Sequence, residues 1–587
     1  MTTQVFLPKF SSKLDVDEFV EKLQAFESGE LSSEQFRAFR LLRGVYGQRQ
    51  ADVQMFRIKI PMGLLGPEQL VAIADVADKH SRGFGHVTTR QNIQLHFMKM
   101  SEMETVMRRL DEVGLTSREA CGNSVRNVTA CELAEVCPDA AFDVTPYAEA
   151  VVRHFLRHPL SSSLPRKFKI AFSGCSTDCA FGAIHDLGFV AQVRDGQRGF
   201  KVYAAGGLST TPQAAITLHE FIPAAELGRV GEAIVRLFHA LGNRDNKARA
   251  RLKYVLRKLG EETFRAKYAE LKAQVDAEAA AELRLPDSPK NQPASAVAVE
   301  NGHGTLADPR EAVARESRAL PGGYLQWRSA CVVDQRQDGF AAVYVRLFLG
   351  DVTSVQLRAL AELLPRFGDG TLRLTVDQNI LVPWVDRRSL PALYVALRDI
   401  GLARSDVHTA SDVTSCPGAE SCNLAVTSSR NVARAISERL EQPDMAASAG
   451  LADTTIKISG CPNSCGQHHI ADIGWHGAVK NVGGTAYPMY QLHLGGGVDP
   501  AGARFGRQVV KVVARRVPEA VAVLLKLFET ERTDGETAAG FYRRVDPKRV
   551  VAVLGDIAAS TPHAGEETDI GEETGFQVAI GAGECAA

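Results

Sequence analysis

Short runs in which apolar and polar residues alternate predict strands at FRIKI (56–60), KFKIAF (167–172), VRLFL (345–349) and TTIKI (454–458). Among them, PEQLVAIADVADKH (67–80), TPYAEAVVRHFLRHPL (145–160) and SVQLRALAELLPRF (354–367) repeat apolar residues at helical spacing. Strand, helix, strand predicts a small α+β unit; a larger portion with further strands and helices begins near Leu115 and again near Leu402. Periodicity fails across 273–321, where the sequence is polar, alanine-rich and broken by proline, so this stretch reads as a linker.

The same phrases recur in the same order on both sides of that linker, which predicts an internal duplication. FRIKI matches VRLFL at an offset of 289, set by Arg57 and Arg346. TTRQNIQL from Thr88 matches TVDQNILV from Thr375 at 287, and ACELA around Cys131 matches SCNLA around Cys422 at 291. SGCSTDC (173–179) matches SGCPNSC (459–465) at 286. The halves are expected to be pseudo-symmetric and to share an interface.

A length of 587 residues is too great for one hydrophobic core and implies three or four domains. A net charge of −1, with 45% hydrophobic and 23% charged residues, argues against disorder and against nucleic acid as a partner. No apolar run is long enough to span a membrane, and the start has neither a signal-peptide nor a transit-peptide pattern. The expected location is the cytoplasm, where eleven cysteines point to metal or redox chemistry rather than disulfides.

Cys416, Cys422, Cys461 and Cys465 form a Cys-x5-Cys pair and a Cys-x3-Cys pair separated by 38 residues. Four thiolates is the count a [4Fe–4S] cluster needs, and the adjacent glycines and prolines allow tight turns that aim backbone amides at sulfur. A tetrahedral zinc site in a binding or scaffolding protein is the competing reading. In the first half Cys131, Cys175 and Cys179 mirror three of the four, with Val125 in the place of Cys416, so that copy is expected to lack a cluster and Cys137 to be buried and unliganded. The first half instead has Arg57, Arg90, Arg126, Arg166, Lys167 and Lys169. Lys167 and Lys169 flank Phe168 on a predicted strand and so share a face. Their counterparts are Asp453 and Thr455, and Asp377 matches Arg90, which leaves the positive charge in one copy only.

TSCPGAESC with GCPNSC, TTRQNIQLH, SVRNVT, LPRKFK and the duplicated layout together resemble the siroheme-dependent nitrite and sulfite reductase family, from about residue 40 to 555. The resemblance implies an α+β fold of two halves, each a ferredoxin-like unit followed by a larger α/β domain. The implied divisions are an N-terminal extension (1–39), ferredoxin-like units at 40–114 and 322–402, siroheme-, anion- and cluster-binding domains at 115–272 and 403–560, the linker, and a flexible tail (561–587). It implies a [4Fe–4S] cluster on the four late cysteines, with Cys465 also ligating siroheme iron. It further implies Arg57, Arg126, Lys167 and Lys169 around the reacting anion, and Arg90, Gln94 and Asn463 on siroheme. His86 stands where some members carry arginine. Lys169, and a Tyr46–Cys121 pair placed as in members where the two become joined, favour six-electron reduction of sulfite to sulfide over nitrite to ammonia. No GxGxxG opens a βαβ unit, so electrons are expected from a ferredoxin or a separate flavoprotein.

Overall fold

Four five-stranded sheets carry the chain in the computed structural model, which describes residues 5–278, 281–286, 320–448, 450–559, 561–578 and 584. Most of the expected linker, and Cys585, lie outside these residues. The helix Glu261–Ala277 runs past the expected linker start at 273 and buries Val275.

In the first ferredoxin-like unit the sheet runs Val45–Gly47, Gln54–Ile58, Ile93–Met98, Phe84–Val87, and is completed by Asp351–Thr353 from the second half. The second sheet runs Val332–Asp334, Phe340–Val345, Ile380–Asp386, Leu372–Leu374, and is completed by Leu64–Leu65 from the first. Each unit thus closes an open edge with a strand of its twin. One hydrophobic core serves both: Phe56, Ile58, Ile93 and Leu95 pack in the same cluster as Val343, Val345, Ile380 and Val382. The interface expected between the halves is therefore a merged core.

The N-terminal segment is also part of this core. Helices Lys13–Glu27 and Ser33–Leu41 bury Val16, Phe19, Leu23 and Phe36 in it.

Each larger domain has its own core and a mixed sheet. Val125–Ala130, Phe168–Ser173 and Leu187–Arg194 are parallel neighbours, as are Thr414–Ser415, Ile456–Ser459 and Ile473–Val482. Parallel neighbours need a crossover: helices Thr145–Phe155 and Ser429–Leu440 lie in the first of each domain, and the loops 174–186 and 460–472 make the second. No helix among the described residues is long and apolar enough to cross a membrane.

Strand register corrects two of the sequence matches. Ile58 pairs with Ile93 and Val345 with Ile380, so the offset is 287 and the counterpart of Arg57 is Tyr344, not Arg346. A slip of two preserves strand alternation, which is why the apolar pattern alone allowed 289. Ala130 pairs with Phe172 and Ser415 with Ile458, so Cys131 corresponds to Cys416 at an offset of 285, and Val125 does not. The match at 291 had slipped by the six residues that separate the two cysteines of each pair.

The tail expected to be flexible packs instead as far as it is described. Asp569 is buried and accepts from the Ser428 amide at 2.7 Å, ahead of helix Ser429–Leu440, while Ile570 O accepts from Asn431 Nδ2 at 2.9 Å. Glu584 accepts from the Gly47 amide at 2.6 Å. Removing the Asp569 carboxylate orphans a buried helix-start donor, so Asp569→Ala is expected to cost about 1–3 kcal/mol in denaturant unfolding. A change below about 0.5 kcal/mol would show that the contact carries no stability.

Candidate functional site

The late cysteines sit on two tight loops at the ends of parallel strands. Cys416 follows Thr414–Ser415, and its amide donates to Ile458 O at 3.3 Å; Cys461 follows Ile456–Ser459. The second loop turns through left-handed residues at Ser464 (φ 56°) and Gln467 (φ 64°). Gly466 lies between them because a Cβ there would meet Ile458 O at 1.9 Å. The Gly460 amide points at Cys416 Sγ (3.3 Å), the N–H to sulfur arrangement that stabilises a charged sulfur. Burial, followed by the neighbouring Cys465 and Cys416, pushes the Cys461 thiol up, and burial and Cys465 act likewise on Cys416. A bound cation would favour the ionised form of both.

Among the described residues, the sets of three or more ligand atoms mutually within 4.8 Å are His468 with His476 and His493, and His154 with His158 and Glu232. The four cysteines are not such a set. Zinc, with Zn–S of about 2.3 Å and hence sulfurs about 3.8 Å apart, would need these thiols to draw together.

The other half holds these loops in place. Arg49 donates through its amide to Ser421 O (2.9 Å) and through Nη2 to Ala425 O (2.7 Å), and Gln50 Nε2 donates to Glu420 O (2.8 Å). Thr89 Oγ1 donates to Cys465 O at 3.0 Å, next in sequence to Arg90. Asn463 Oδ1 accepts from Ser209 Oγ at 3.3 Å. Asn463 and Cys465 are exposed, whereas Ser464 and Gly466 beside them are buried.

The expected cations gather opposite this loop. Phe168 is fully buried between half-exposed Lys167 and Lys169, as the alternation predicted. Arg57 Nη1 and Arg126 Nη1 both donate to Ala120 O (3.4 and 3.1 Å), and Arg126 Nε donates to Gly122 O (2.9 Å), which sets the two guanidinium groups side by side. Gln94 lies across the strand pair from Arg57 and, with its amide oxygen turned inward, accepts from Arg57 Nε at 3.0 Å. Tyr46 and Cys121 share one small apolar cluster with Leu41 and Met55. Arg90 is held by Asn127 O, Ile170 O (3.1 Å), Thr129 Oγ1 (3.1 Å) and His185. Its buried Nε alone lacks a partner.

These charges crowd one another. Burial, then Arg90, Arg251 and Lys167, hold the Lys169 ammonium well below a lysine's ordinary value, and Cys465 acts in the opposite sense. Burial also pulls Arg90 down to about 9, against Asp186, with Arg126 and Arg251 adding to the fall. A set of cations that depress one another suits an anion with several carboxylates or oxyanion oxygens.

His86 is not aimed at this space. It is buried, with Nδ1 3.0 Å from Asp351 Oδ1, and Asp351 also accepts from Arg430. Burial holds His86 below its ordinary value; bonds from His86 and Arg430 overcome the burial of Asp351 and hold that carboxyl low.

Sequence reasoning missed Asp186, which takes a two-pronged bond from Arg251 (3.2 and 2.7 Å) and accepts from the Lys169 amide (2.9 Å). It also missed the Arg49–Gln50 clamp, although Gln48-Arg49-Gln50 recurs as Gln335-Arg336-Gln337 and was there to be found.

Duplicated α+β halves, with a four-cysteine cradle in one facing a cationic set in the other, define an iron–sulfur redox protein. The chain belongs to the nitrite and sulphite reductase family. The "Nitrite and sulphite reductase 4Fe-4S domain" matches residues 121–275 and 407–548, and the "Nitrite/Sulfite reductase ferredoxin-like half domain" matches 46–113 and 333–400. The chain is 28% identical over 567 residues to "Sulfite reductase [ferredoxin]" of Mycobacterium tuberculosis, covering 92% of this chain and 94% of that one. It is 30% identical over 479 residues to "Ferredoxin--nitrite reductase" of Synechococcus elongatus, covering 80% and 85%. The solved Mycobacterium tuberculosis NirA protein superposes with a TM-score of 0.73 at 26% identity, over 91% of this chain and 97% of that one.

The clamp predicts a spectroscopic effect. Arg49→Ala removes the 2.7 Å bond to Ala425 O, about 1–3 kcal/mol for a charged donor, and is expected to speed bleaching of the cluster absorbance by a chelator on the order of tenfold. Bleaching at the wild-type rate would show that the loop holds its shape without the clamp.

Proposed function

We propose that this chain reduces sulfite to sulfide, with electrons from a ferredoxin. The observation that carries this reading is that Thr89, next to Arg90 in the half that bears Lys169 and the Arg57–Arg126 pair, bonds Cys465 O of the other half at 3.0 Å. Cys416, Cys422, Cys461 and Cys465 would hold the [4Fe–4S] cluster, and Cys465 would also ligate siroheme, with Asn463 beside it and Arg90 supplying positive potential. When bound, siroheme supplies the iron that takes the anion and receives electrons one at a time from the cluster.

The protein's own share is charge and protons. One sulfite, six electrons and six protons give sulfide and three waters, so each departing oxygen must be protonated where it leaves. Lys167 and Lys169 project from one face of their strand and bring ammonium donors to those oxygens. Arg57 and Arg126, fixed on Ala120 O, would stabilise negative charge on the oxygens without rearrangement. Gln94 steers Arg57, and Asp186 holds the Lys169 backbone.

Nitrite reduction to ammonia by the same site is the second reading, favoured by the likeness to the Synechococcus elongatus relative. Lys169 and the apposed Tyr46 and Cys121 favour sulfite.

Steady-state turnover of both anions with one reduced ferredoxin tests the choice: a larger kcat/KM for sulfite is expected, and a much larger value for nitrite would reverse it. Lys169→Met is expected to lower kcat on the order of 10²–10³-fold while the siroheme and cluster absorbance persist. Unchanged kcat in that variant would remove Lys169 from the proton-delivering set.

A further inference from the structure

Once the register is corrected, the first half keeps a full cysteine set. Cys131, Cys137, Cys175 and Cys179 have the spacing Cys-x5-Cys, 37 residues, Cys-x3-Cys, against 38 residues in the late set. Each early cysteine lies 285 or 286 positions before a late one. Corresponding positions alone would make these evolutionary remnants; the folding of the loops goes further.

The loop backbones agree bond for bond. Cys131 N donates to Phe172 O (2.9 Å) as Cys416 N does to Ile458 O (3.3 Å), and Cys137 N to Leu133 O (2.7 Å) as Cys422 N does to Gly418 O (3.0 Å). Ala141 N to Gly174 O and Val426 N to Gly460 O are both 2.8 Å. The left-handed pair Asp178 (φ 54°) and Phe181 (φ 58°) repeats Ser464 and Gln467. A non-glycine residue enters that region only under constraint, so both second loops hold the same unusual shape.

The clamp is kept as well, with the halves exchanged. Arg336 donates through its amide to Val136 O (2.7 Å) and through Nη2 to Ala140 O, and Gln337 Nε2 donates to Glu135 O (3.3 Å). These are the counterparts of the bonds from Arg49 and Gln50 to the late loop. The four thiols converge: Cys131 and Cys179 have sulfurs 2.8 Å apart, and Cys175 is within thiol hydrogen-bond reach of Cys137 and Cys179. The 2.8 Å pair is closer than the roughly 3.8 Å at which one zinc holds two sulfurs, so a bound metal group would part Cys131 from Cys179.

We propose that Cys131, Cys137, Cys175 and Cys179 bind a second [4Fe–4S] cluster. The surrounding positions offer no anion cage: Tyr344 stands at the place of Arg57, Asp377 at that of Arg90, and Asp453 and Thr455 at those of Lys167 and Lys169. Tyr344 Oη donates to Glu132 Oε1 (3.4 Å) beside Cys131, and Lys457 bonds Asp377. The second cluster therefore has no substrate site of its own. This inference rests on the duplication and not on which anion is reduced.

Anaerobically purified chain carrying siroheme tests it by analysis of iron and acid-labile sulfide. About eight sulfides and about nine irons per siroheme are expected; about four and about five would overturn the proposal, with or without bound zinc. Mössbauer spectra of ⁵⁷Fe-enriched wild-type protein are expected to show two equal cluster populations, one magnetically coupled to siroheme iron and one not. A coupled population alone would overturn the second site and leave the proposed function intact, whereas absence of siroheme after expression in cells that make it would remove the function first. The double variant Cys137→Ser, Cys175→Ser is expected to lose the uncoupled signal and about four sulfides while siroheme absorbance persists; unchanged sulfide would count against these ligands. The wild-type measurements decide the question if that variant does not fold.

Discussion

A loop that wraps a charged cluster must turn its amides toward sulfur, which leaves its carbonyls facing outward and in need of donors. In the late loops those carbonyls are Glu420 O, Ser421 O and Ala425 O, and the donors are Gln50 and Arg49 of the other half. Much of the architecture follows from this dependence. A half that cannot satisfy its own cysteine loop must stay docked to its twin, and the exchanged strands and merged core make that docking permanent. Arg336 and Gln337 return the same service to the early loop, so the dependence is mutual.

Symmetry of scaffold did not keep symmetry of charge. Crowding cations in a partly buried space is unfavourable, as the depressed Lys169 and Arg90 record. The cost is tolerable where an anion will bind and serves nothing elsewhere. In the second copy the corresponding space is closed by a Lys457–Asp377 pair and a Tyr344–Glu132 contact. Burial also pushes the Glu132 carboxyl up to about 7, against its own backbone bond, so that space takes on even less charge.

What the sequence made legible was chemistry carried by residue type and local spacing. The four late cysteines lie on two loops at strand ends, Lys167 and Lys169 flank buried Phe168, and Arg57 and Arg126 share Ala120 O. What stayed hidden was register and exchange. Leu64–Leu65 and Asp351–Thr353 are too short to signal a strand, and nothing local says that either joins the sheet of the other half. Period-two alternation tolerates a slip of two, which concealed Tyr344 behind Arg346; two cysteines six apart tolerate a slip of six, which concealed the early set behind Val125. Both errors vanish once backbone pairing supplies a ruler independent of residue type.

The exchanged strand also couples the two parts of the site. Asp351 lies across from His86, His86 across from Gln94, and Gln94 across from Arg57, a single row over four adjacent strands. Residues directly opposite in a sheet share a face and pack against one another. At one end Asp351 is bound by Arg430, two residues into the run that opens helix Ser429–Leu440 just after the cluster loop. At the other, Arg57 shares Ala120 O with Arg126. Because the row is fixed by backbone register and not by side-chain choice, the distance from cluster loop to cation pair is a property of the sheet. A histidine at position 86 fits this reading: it is buried and tied to Asp351, so it joins the row between the cluster loop and the Arg57–Arg126 pair.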